Sequence, residues 1–561
     1  PVKVSQQISK VLKKNWKDLY KKIKNKNKRF TWIKRHLTED QYEKIKTFNL
    51  KGLGFIEEPK RVYPYSKRLS QVIGITGRSG KGLEGVELEY NQLLSGKEKR
   101  LSFQKDARGR VLLVNTDNVL DNPEGKDIYL TIDSDIQIKL ENELSRAVDS
   151  FDADSAVGVV LDVENSEVLA MANIPTYDLN FPSQYPYSVK KNRTVTDAYE
   201  PGSTMKPFTV ISALENELVQ ANSVINCEGA PLKIGKRLIR EAGKDHYHKS
   251  LSVSEIIGYS SNIGSSKLAF MLGQEKLLKT LSKFGFGERT GIAFPGESKG
   301  LVNTEHWPKH LLANVSFGHG IAVTPIQIAA AYAAIARGGE YKSPKLIKSI
   351  DDQEILTEKS HRIMSQKLAE VMNLMLTQAT ATGSTGASAR VKGWPVAGKT
   401  GTAQKIDFDK GGYKEGAYIS SFAGYIPANE PKYVVYIAVD SPKKYFYGSQ
   451  VAAPVFSKVA SFAMRKSGKA PILISDKNLL DKKSFKMPQP KISQAVKIRE
   501  NRQGILKIMP NVRGMSLRQV LLSIRGVSAK ISIKGSGLVT QTIPEAGESI
   551  EGVGELKIIL N

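Results

Sequence analysis

A serine hydroxyl is a poor nucleophile until a neighbouring group removes its proton, and a lysine can do this only as the neutral amine. Pro201-Gly202-Ser203-Thr204-Met205-Lys206-Pro207 sets Ser and Lys three residues apart at the start of a run that reaches Leu214. That run is apolar on nearly every side, which predicts a buried helix. Pro207 is tolerated only in a first turn, so Ser203 belongs at the helix N-terminus, where it shares a face with Lys206. Burial, the positive helix end and a second nearby cation would each favour the neutral amine. Spacing alone does not select Ser203, because Ser188-Val189-Lys190-Lys191 and Ser441-Pro442-Lys443-Lys444 repeat it without an apolar helix around them.

Two further motifs follow in order. Ser260-Ser261-Asn262 is flanked by Ile256, Ile257, Ile263, Leu268 and Ala269. It reads either as an ordinary turn between helices or as a polar cluster, with Ser260 relaying a proton and Asn262 gripping a peptide group. Lys399-Thr400-Gly401-Thr402 reads as an edge strand. As a functional edge it offers its backbone to an extended peptide, Gly401 allowing close approach and Thr400, Thr402 and Lys399 meeting a carboxylate. Ser-x-x-Lys, Ser-x-Asn-type and Lys-Thr-Gly motifs occur together in penicillin-binding proteins and β-lactamases.

The elements that must position these residues are legible in outline. Ile128–Ile132 has the texture of a strand, and the spacing from Asp133 to Val148 predicts a helix with Asp133 or Ser134 as N-cap. Ala156–Val163 and Glu167–Ala172 are two apolar runs separated by Glu164-Asn165-Ser166, a hairpin signal. Tyr418–Tyr425 and Tyr433–Val439 form a second pair, and Val451–Arg465 is helix-like. A sheet built from both ends of one long domain, with helices between, is an α+β layout. Upstream, residues 1–35 read as basic helix packed on its own domain, and the glycines between Val62 and Arg110 suggest an irregular β-rich module. Residues 467–503 read as a Lys-, Pro- and Ser-containing linker. After it, a helix over Ser516–Ile524 and strands around Ile531 and Val539 suggest a small βα module. The expected boundaries are therefore 1–126, 127–466, 467–503 and 504–561.

The 561 residues carry a formal charge of +27, with 40% hydrophobic and 25% charged residues, a globular composition. Residues 1–50 hold 15 Lys/Arg against 4 Asp/Glu, which suits anionic lipid, and the sequence has no zinc-finger spacing or aromatic RNA-binding signature. Nucleic acid is not the expected partner. Cys227 is the only cysteine and reads as a packed, inert thiol without metal-ligand neighbours. No stretch approaches ~18 consecutive apolar residues. With Pro1 rather than Met at its start, the chain is expected to have lost an upstream anchor.

The motifs and their surroundings resemble the class B penicillin-binding proteins. Asn192-Arg193 with Asp197-Ala198-Tyr199-Glu200-Pro201-Gly202-Ser203 is similar to the division-type members, since elongation-type relatives usually lack that Glu. Phe317-Gly318-His319-Gly320 with Thr324-Pro325-Ile326-Gln327 resembles a further family segment, with His319 a local variant of a more usual Gln. Arg61-Val62-Tyr63-Pro64 and Gly82–Glu87 resemble the non-catalytic pedestal, Phe30–Arg35 its membrane-proximal part, and residues 505–561 a PASTA module, read either as a recognition module or as a packing one. No glycosyltransferase segment precedes the pedestal, which separates this pattern from class A.

The resemblance implies a penicillin-binding/β-lactamase-like transpeptidase domain, an antiparallel sheet flanked by helices, between a β-rich pedestal and a βα module. It implies peptidoglycan D,D-transpeptidation in septal wall synthesis without metal or organic cofactor. Ser203 would attack the D-Ala-D-Ala carbonyl, Lys206 would take its proton, and Ser260 would pass a proton to the leaving D-alanine. The backbone N–H groups of Ser203 and Thr402 would form the oxyanion hole; Asn262, Lys399, Thr400, Gly401 and Thr402 would hold the stem peptide. An acceptor amine resolves the acyl-enzyme, and β-lactams acylate the same serine. The implied setting is the outer side of the bacterial cytoplasmic membrane, with a membrane glycan polymerase of the shape, elongation, division and sporulation family and other divisome proteins as partners. Competing readings are an elongation- or sporulation-type enzyme, a DD-carboxypeptidase or β-lactamase of the same fold, and an inactive division scaffold.

Overall fold

The computed structural model describes residues 1–24, 30–56, 58, 60–96, 104–105, 111–112, 124–243, 246–355, 360–407, 411–471, 508–524, 529–535 and 537–560. The chain divides into two compact units, 1–473 and 474–561. The expected linker falls mostly outside the described residues, which stop at 471 and resume at 508.

The larger unit is built on a five-stranded antiparallel sheet. Its strands are β1 (Ser155–Asp162), β2 (Val168–Ile174), β3 (Ala397–Ile406), β4 (Tyr413–Ile426) and β5 (Tyr433–Asp440). The spatial order is β3-β4-β5-β1-β2, so both ends of the domain meet at the β5–β1 pair, as expected. Successive side chains of a strand face opposite sides, and here both sides are apolar. Val159, Leu161, Val434, Tyr436 and Ala438 join one core cluster. Val160, Val435, Ile437 and Val439 join the other. This two-sided burial is why the strands read as continuous apolar runs rather than alternating ones.

Helices α1 (Ser134–Phe151) and α6 (Gly448–Lys466) cover one face of the sheet. On the other lie α2 (Lys206–Glu215), α3 (Val253–Gly258), α4 (Asn262–Lys283) and α5 (Pro325–Ala336). Asp133 caps α1, accepting from the backbone of Asp135 and Ile136 at 3.0 and 3.1 Å. In α5, every residue from Pro325 to Ile335 is buried, which its Ala-rich sequence permits because small side chains let neighbours approach from all sides. Phe208 of α2 packs against Phe284, Phe286 and Tyr332 with ring centroids 4.8, 4.9 and 5.8 Å away. Tyr332 donates its hydroxyl to the Thr204 carbonyl at 3.0 Å, tying α5 to the turn that carries Ser203.

The N-terminal region differs from its expected texture. Val2–Leu12 and Trp16–Ile23 are two helices, broken where Lys13 takes a left-handed conformation (φ 50°), and Ile8, Leu12 and Leu19 pack with Ile45 of a third helix, Glu39–Lys46. Where glycine spacing suggested strands, the described residues form short helices, Ser70–Ile73, Gly85–Glu89 and Asn91–Leu94. Among the described residues there, strand pairing is limited to Gln104–Lys105 with Val111–Leu112 and a bridge between Thr76 and Gly82. The glycines mark close backbone approach instead of hairpins: a Cβ on Gly74 would lie 1.8 Å from the Glu84 carbonyl oxygen. Glu141 of α1 anchors this region, accepting from Arg68 Nη1 at 3.0 Å and from the Leu69 backbone at 2.8 Å.

The second unit has its own small core of Met509, Val512, Val520, Ile524, Val539, Ile550, Leu556, Ile558 and Leu560. Its helix, Leu517–Ser523, and strands Lys530–Lys534 and Val539–Ile543 agree with the sequence reading. A further strand, Glu555–Leu560, was not anticipated and forms the centre of the sheet, parallel to one neighbour and antiparallel to the other. Among the described residues no helix is long and apolar enough to cross a membrane.

Phe208 is the aromatic hub under the Ser203 turn, so Phe208→Ala should destabilise the larger unit by about 3–5 kcal/mol. A fall in its thermal unfolding midpoint, followed by circular dichroism, checks this; an unchanged midpoint would show that the ring cluster carries little of the core.

Candidate active site

Three chain segments far apart in sequence meet at one end of the sheet. The first is the Ser203 turn, a short 3-10 stretch Gly202–Met205 running into α2, with Pro207 in the helix's first turn. Gly202 has φ 56° and donates its N–H to the Gly318 carbonyl at 3.0 Å. A Cβ on Gly318 would sit 2.1 Å from the Gly202 carbonyl oxygen, so the two backbones touch. Ser203 is thereby presented to a cleft of about 770 Å³, while Lys206 is completely buried beneath it.

The second segment is the turn between α3 and α4. Ser260 adopts a left-handed conformation (φ 60°), strain that a non-glycine residue accepts only where its surroundings dictate it. Lys206 Nζ donates to the Ser260 carbonyl and, at 3.1 Å, to Ser260 Oγ. The third segment is β3, the edge strand, whose Lys399 Nζ reaches the same Ser260 Oγ at 2.9 Å. Two buried amines therefore converge on one hydroxyl. Burial pushes Lys206 down to about 7, against the opposing pull of the Glu241 carboxylate. Lys399 is pushed well below the ordinary lysine range, first by burial and then by the charge of Lys206. A neutral amine at Lys206 can accept a proton, and Ser260 Oγ can pass one between the groups around it.

The structure brings Ser203, Ser260, Asn262, Thr400 and Thr402 to the cleft wall, with Lys206 and Lys399 behind it. Some placements differ from the sequence reading. Lys399 was expected to offer a cation to a carboxylate, but its amine turns inward to Ser260, leaving Thr400 and Thr402 facing the cleft. Thr402 Oγ1 also accepts from the Gly448 backbone at 3.0 Å. The Asn262 amide nitrogen donates to the Arg240 carbonyl at 2.8 Å. Gly401 is needed for packing: a Cβ there would lie 2.3 Å from Ser421 Oγ and 2.9 Å from the Pro201 carbonyl oxygen. Among the described residues no group of His, Cys, Asp and Glu is arranged to hold a metal.

Other lining residues carried no sequence signal of their own. Tyr418 stacks on Phe446 at 4.6 Å, and Tyr447 follows at 4.4 Å, forming an aromatic wall. His248 packs against Tyr259 at 4.8 Å in a tilted pair, and both line the cleft together with His246. His319 also lines the cleft, held between Phe317 and Tyr413, and burial together with the Lys206 charge pushes it down to about 4. Its neighbour Glu200 is buried; its carboxylate accepts from the Gly320 backbone at 2.7 Å, and burial raises its proton affinity. A neutral histidine of this kind is a hydrogen-bonding group rather than a cation.

Comparison with known proteins agrees with this fold and cleft. Residues 156–461 match the penicillin binding protein transpeptidase domain, and residues 2–130 the penicillin-binding protein dimerisation domain. The chain therefore belongs to the penicillin-binding protein transpeptidases. The dimerisation domain ahead of the transpeptidase domain makes it a class B member, a serine-type D,D-transpeptidase by family. The probable peptidoglycan D,D-transpeptidase PenA of Neisseria meningitidis is 36% identical over 462 residues, 81% of this chain and 76% of PenA. Stage V sporulation protein D of Bacillus subtilis is 32% identical over 581 aligned positions, covering 100% of this chain and 85% of that protein. The crystal structure of penicillin-binding protein 3 from Mycobacterium tuberculosis complexed with aztreonam superposes with a TM-score of 0.64 at 30% identity, covering 74% of this chain and 93% of that one.

With Lys206 lowered to about 7, the protonated, inactive form of the amine should dominate below that pH and the neutral form above it. The rate of covalent labelling by a fluorescent penicillin should accordingly rise through an acid limb centred near 7. A rate flat between pH 5 and about 9 would mean that Lys206 is not the titrating group.

Proposed function

We propose that this chain cross-links peptidoglycan stem peptides through an acyl-enzyme on Ser203. The observation that carries the reading is the convergence of Lys206 and Lys399 on Ser260 Oγ, behind a serine presented to a cleft along an open edge strand. Neutral Lys206 takes the Ser203 proton as Oγ attacks the carbonyl between two terminal D-alanines. The backbone N–H groups of Ser203 and Thr402 stabilise the oxyanion. Collapse of the tetrahedral species breaks the C–N bond, and the proton reaches the departing D-alanine amine through Ser260. The donor peptide lies along β3, with Thr400 and Thr402 meeting its terminal carboxylate, Gly401 keeping the strand flat against the Ser203 turn, and Asn262 facing the peptide backbone. An amine from a neighbouring stem peptide then attacks the ester and releases Ser203.

A β-lactam enters the same path, because its strained amide acylates Ser203 and leaves no diffusible amine. We further place the working enzyme on the outer face of the cytoplasmic membrane, beside a glycan polymerase, an assignment supported by the family resemblance and the basic N-terminal region. The proposed domain boundaries are 1–126 for the pedestal, 127–466 for the transpeptidase domain, 467–503 for the linker and 504–561 for a PASTA-like module. Septal synthesis is the first reading of its role, supported by Glu200 before Pro201-Gly202-Ser203. A sporulation role is the second, favoured by a relative of that name whose match extends through the C-terminal unit. Localisation of a tagged chain decides between them: septa of growing cells for the first, sporulating cells alone for the second.

The central test is labelling by a fluorescent penicillin. Labelling should vanish in Ser203→Ala while circular dichroism stays unchanged, and intact-mass measurement should find a long-lived adduct on the native chain. Undiminished labelling of the variant would put the nucleophile elsewhere, and rapid turnover of the adduct would instead indicate a β-lactamase.

A further inference from the structure

Glu241 lies outside every motif, yet its buried carboxylate is built into the site. It accepts from Ser261 Oγ at 2.6 Å, from the Asn262 backbone at 2.6 Å and from the Ile263 backbone at 3.3 Å. These donors are the N-cap side chain and first backbone groups of α4, where a helix end favours an anion. The residue immediately before them is Ser260, whose carbonyl and hydroxyl both take bonds from Lys206. Carboxylate, turn and amine thus form one continuous chain of contacts.

We propose that Glu241 is a positioning residue that clamps the Ser260–Asn262 turn against Lys206 and supplies the negative charge facing the buried amines. The proposal rests on the transpeptidase reading above. The groups around Lys206 are Lys399 from β3, Ser260 from the α3–α4 turn, His319 from the Phe317–Gly320 segment, and Glu241 from the segment after Arg237–Ile239. Those around Glu241 are the α4 N-terminus, Lys206 and the buried Cys227 thiol, which burial keeps protonated. Among them Glu241 is the group that opposes burial at Lys206. Its charge favours the protonated amine, so its removal leaves burial unopposed and lets Lys206 shed its proton at lower pH.

The experiment measures the pH dependence of fluorescent-penicillin labelling in the full chain and in Glu241→Gln. The amide keeps the size of the side chain, removes its charge and replaces one of its two accepting oxygens by a donor. The acid limb should move to lower pH by about half to one unit. The high-pH rate should fall about threefold to tenfold, since at least one bond to the α4 N-terminus loses its acceptor and the remaining acceptor is neutral. A limb that stays in place or moves upward overturns the proposal, because a purely structural role would lower the rate at every pH alike. Should Glu241→Gln fail to fold, Glu241→Asp decides: it retains the charge and displaces the turn, so the rate should fall with the limb unmoved, and a downward shift would refute the charge role. Absence of labelling in the native chain would instead sink the transpeptidase reading, and the proposal with it.

Discussion

Two lysine amines, both out of contact with water, share one serine hydroxyl. In that geometry the charged form of either amine is disfavoured by lost solvation, and the charge of one disfavours the charge of the other. Burial brings Lys206 down to about 7, so that near neutral pH a substantial share of the amine is unprotonated. The arrangement works only while the start of α2, the α3–α4 turn and β3 stay within hydrogen-bonding distance of one point. Much of the larger unit can be understood as the scaffold that keeps them there.

Close backbone contacts do most of that holding. Gly202 lies against Gly318, Gly401 against the Pro201 carbonyl, and Gly448 against Gly401, each at a separation that leaves no space for a Cβ. The Ser203 turn is therefore wedged between the edge strand and the Phe317–Gly320 segment. Beneath it, Phe208, Tyr332 and the wholly buried α5 give the turn a rigid floor. The sheet is covered on both faces, and β3 stands at one edge of it, beside the Ser203 turn.

The rest of the cleft lining is more individual. His319, the aromatic trio Tyr418, Phe446 and Tyr447, and the His248–Tyr259 pair give the cleft an apolar, hydrogen-bonding lining rather than a charged one. Such a lining is suited to a peptide whose only strong charge near the scissile bond is its terminal carboxylate. Glu241 and Glu200 stand behind this surface, each satisfied in part by backbone N–H groups, and each adjusts a neighbour without meeting the solvent.

The sheet strands and the helices at Asp133, Ser203 and Val451 were legible in the sequence, because apolar periodicity, the Asp133 cap and the Pro207 helix start are local effects. It also singled out Ser203 as the candidate nucleophile by its company, and the fold brings Ser260 and Asn262 to the same cleft with Lys399 behind it. Local signals failed where a residue answers to backbone outside its own turn: the stretch around Gly74 read as β-rich, but Gly74 marks close contact with the Glu84 backbone, and the central strand Glu555–Leu560 passed unnoticed. Lys399 pointed to a substrate carboxylate on paper and turns inward to Ser260 in the fold. Glu241 had no pattern at all around it. These points waited on the tertiary fold, because burial, hydrogen-bond direction and the charge state of a lysine depend on neighbours from 10 to 139 residues away in the chain.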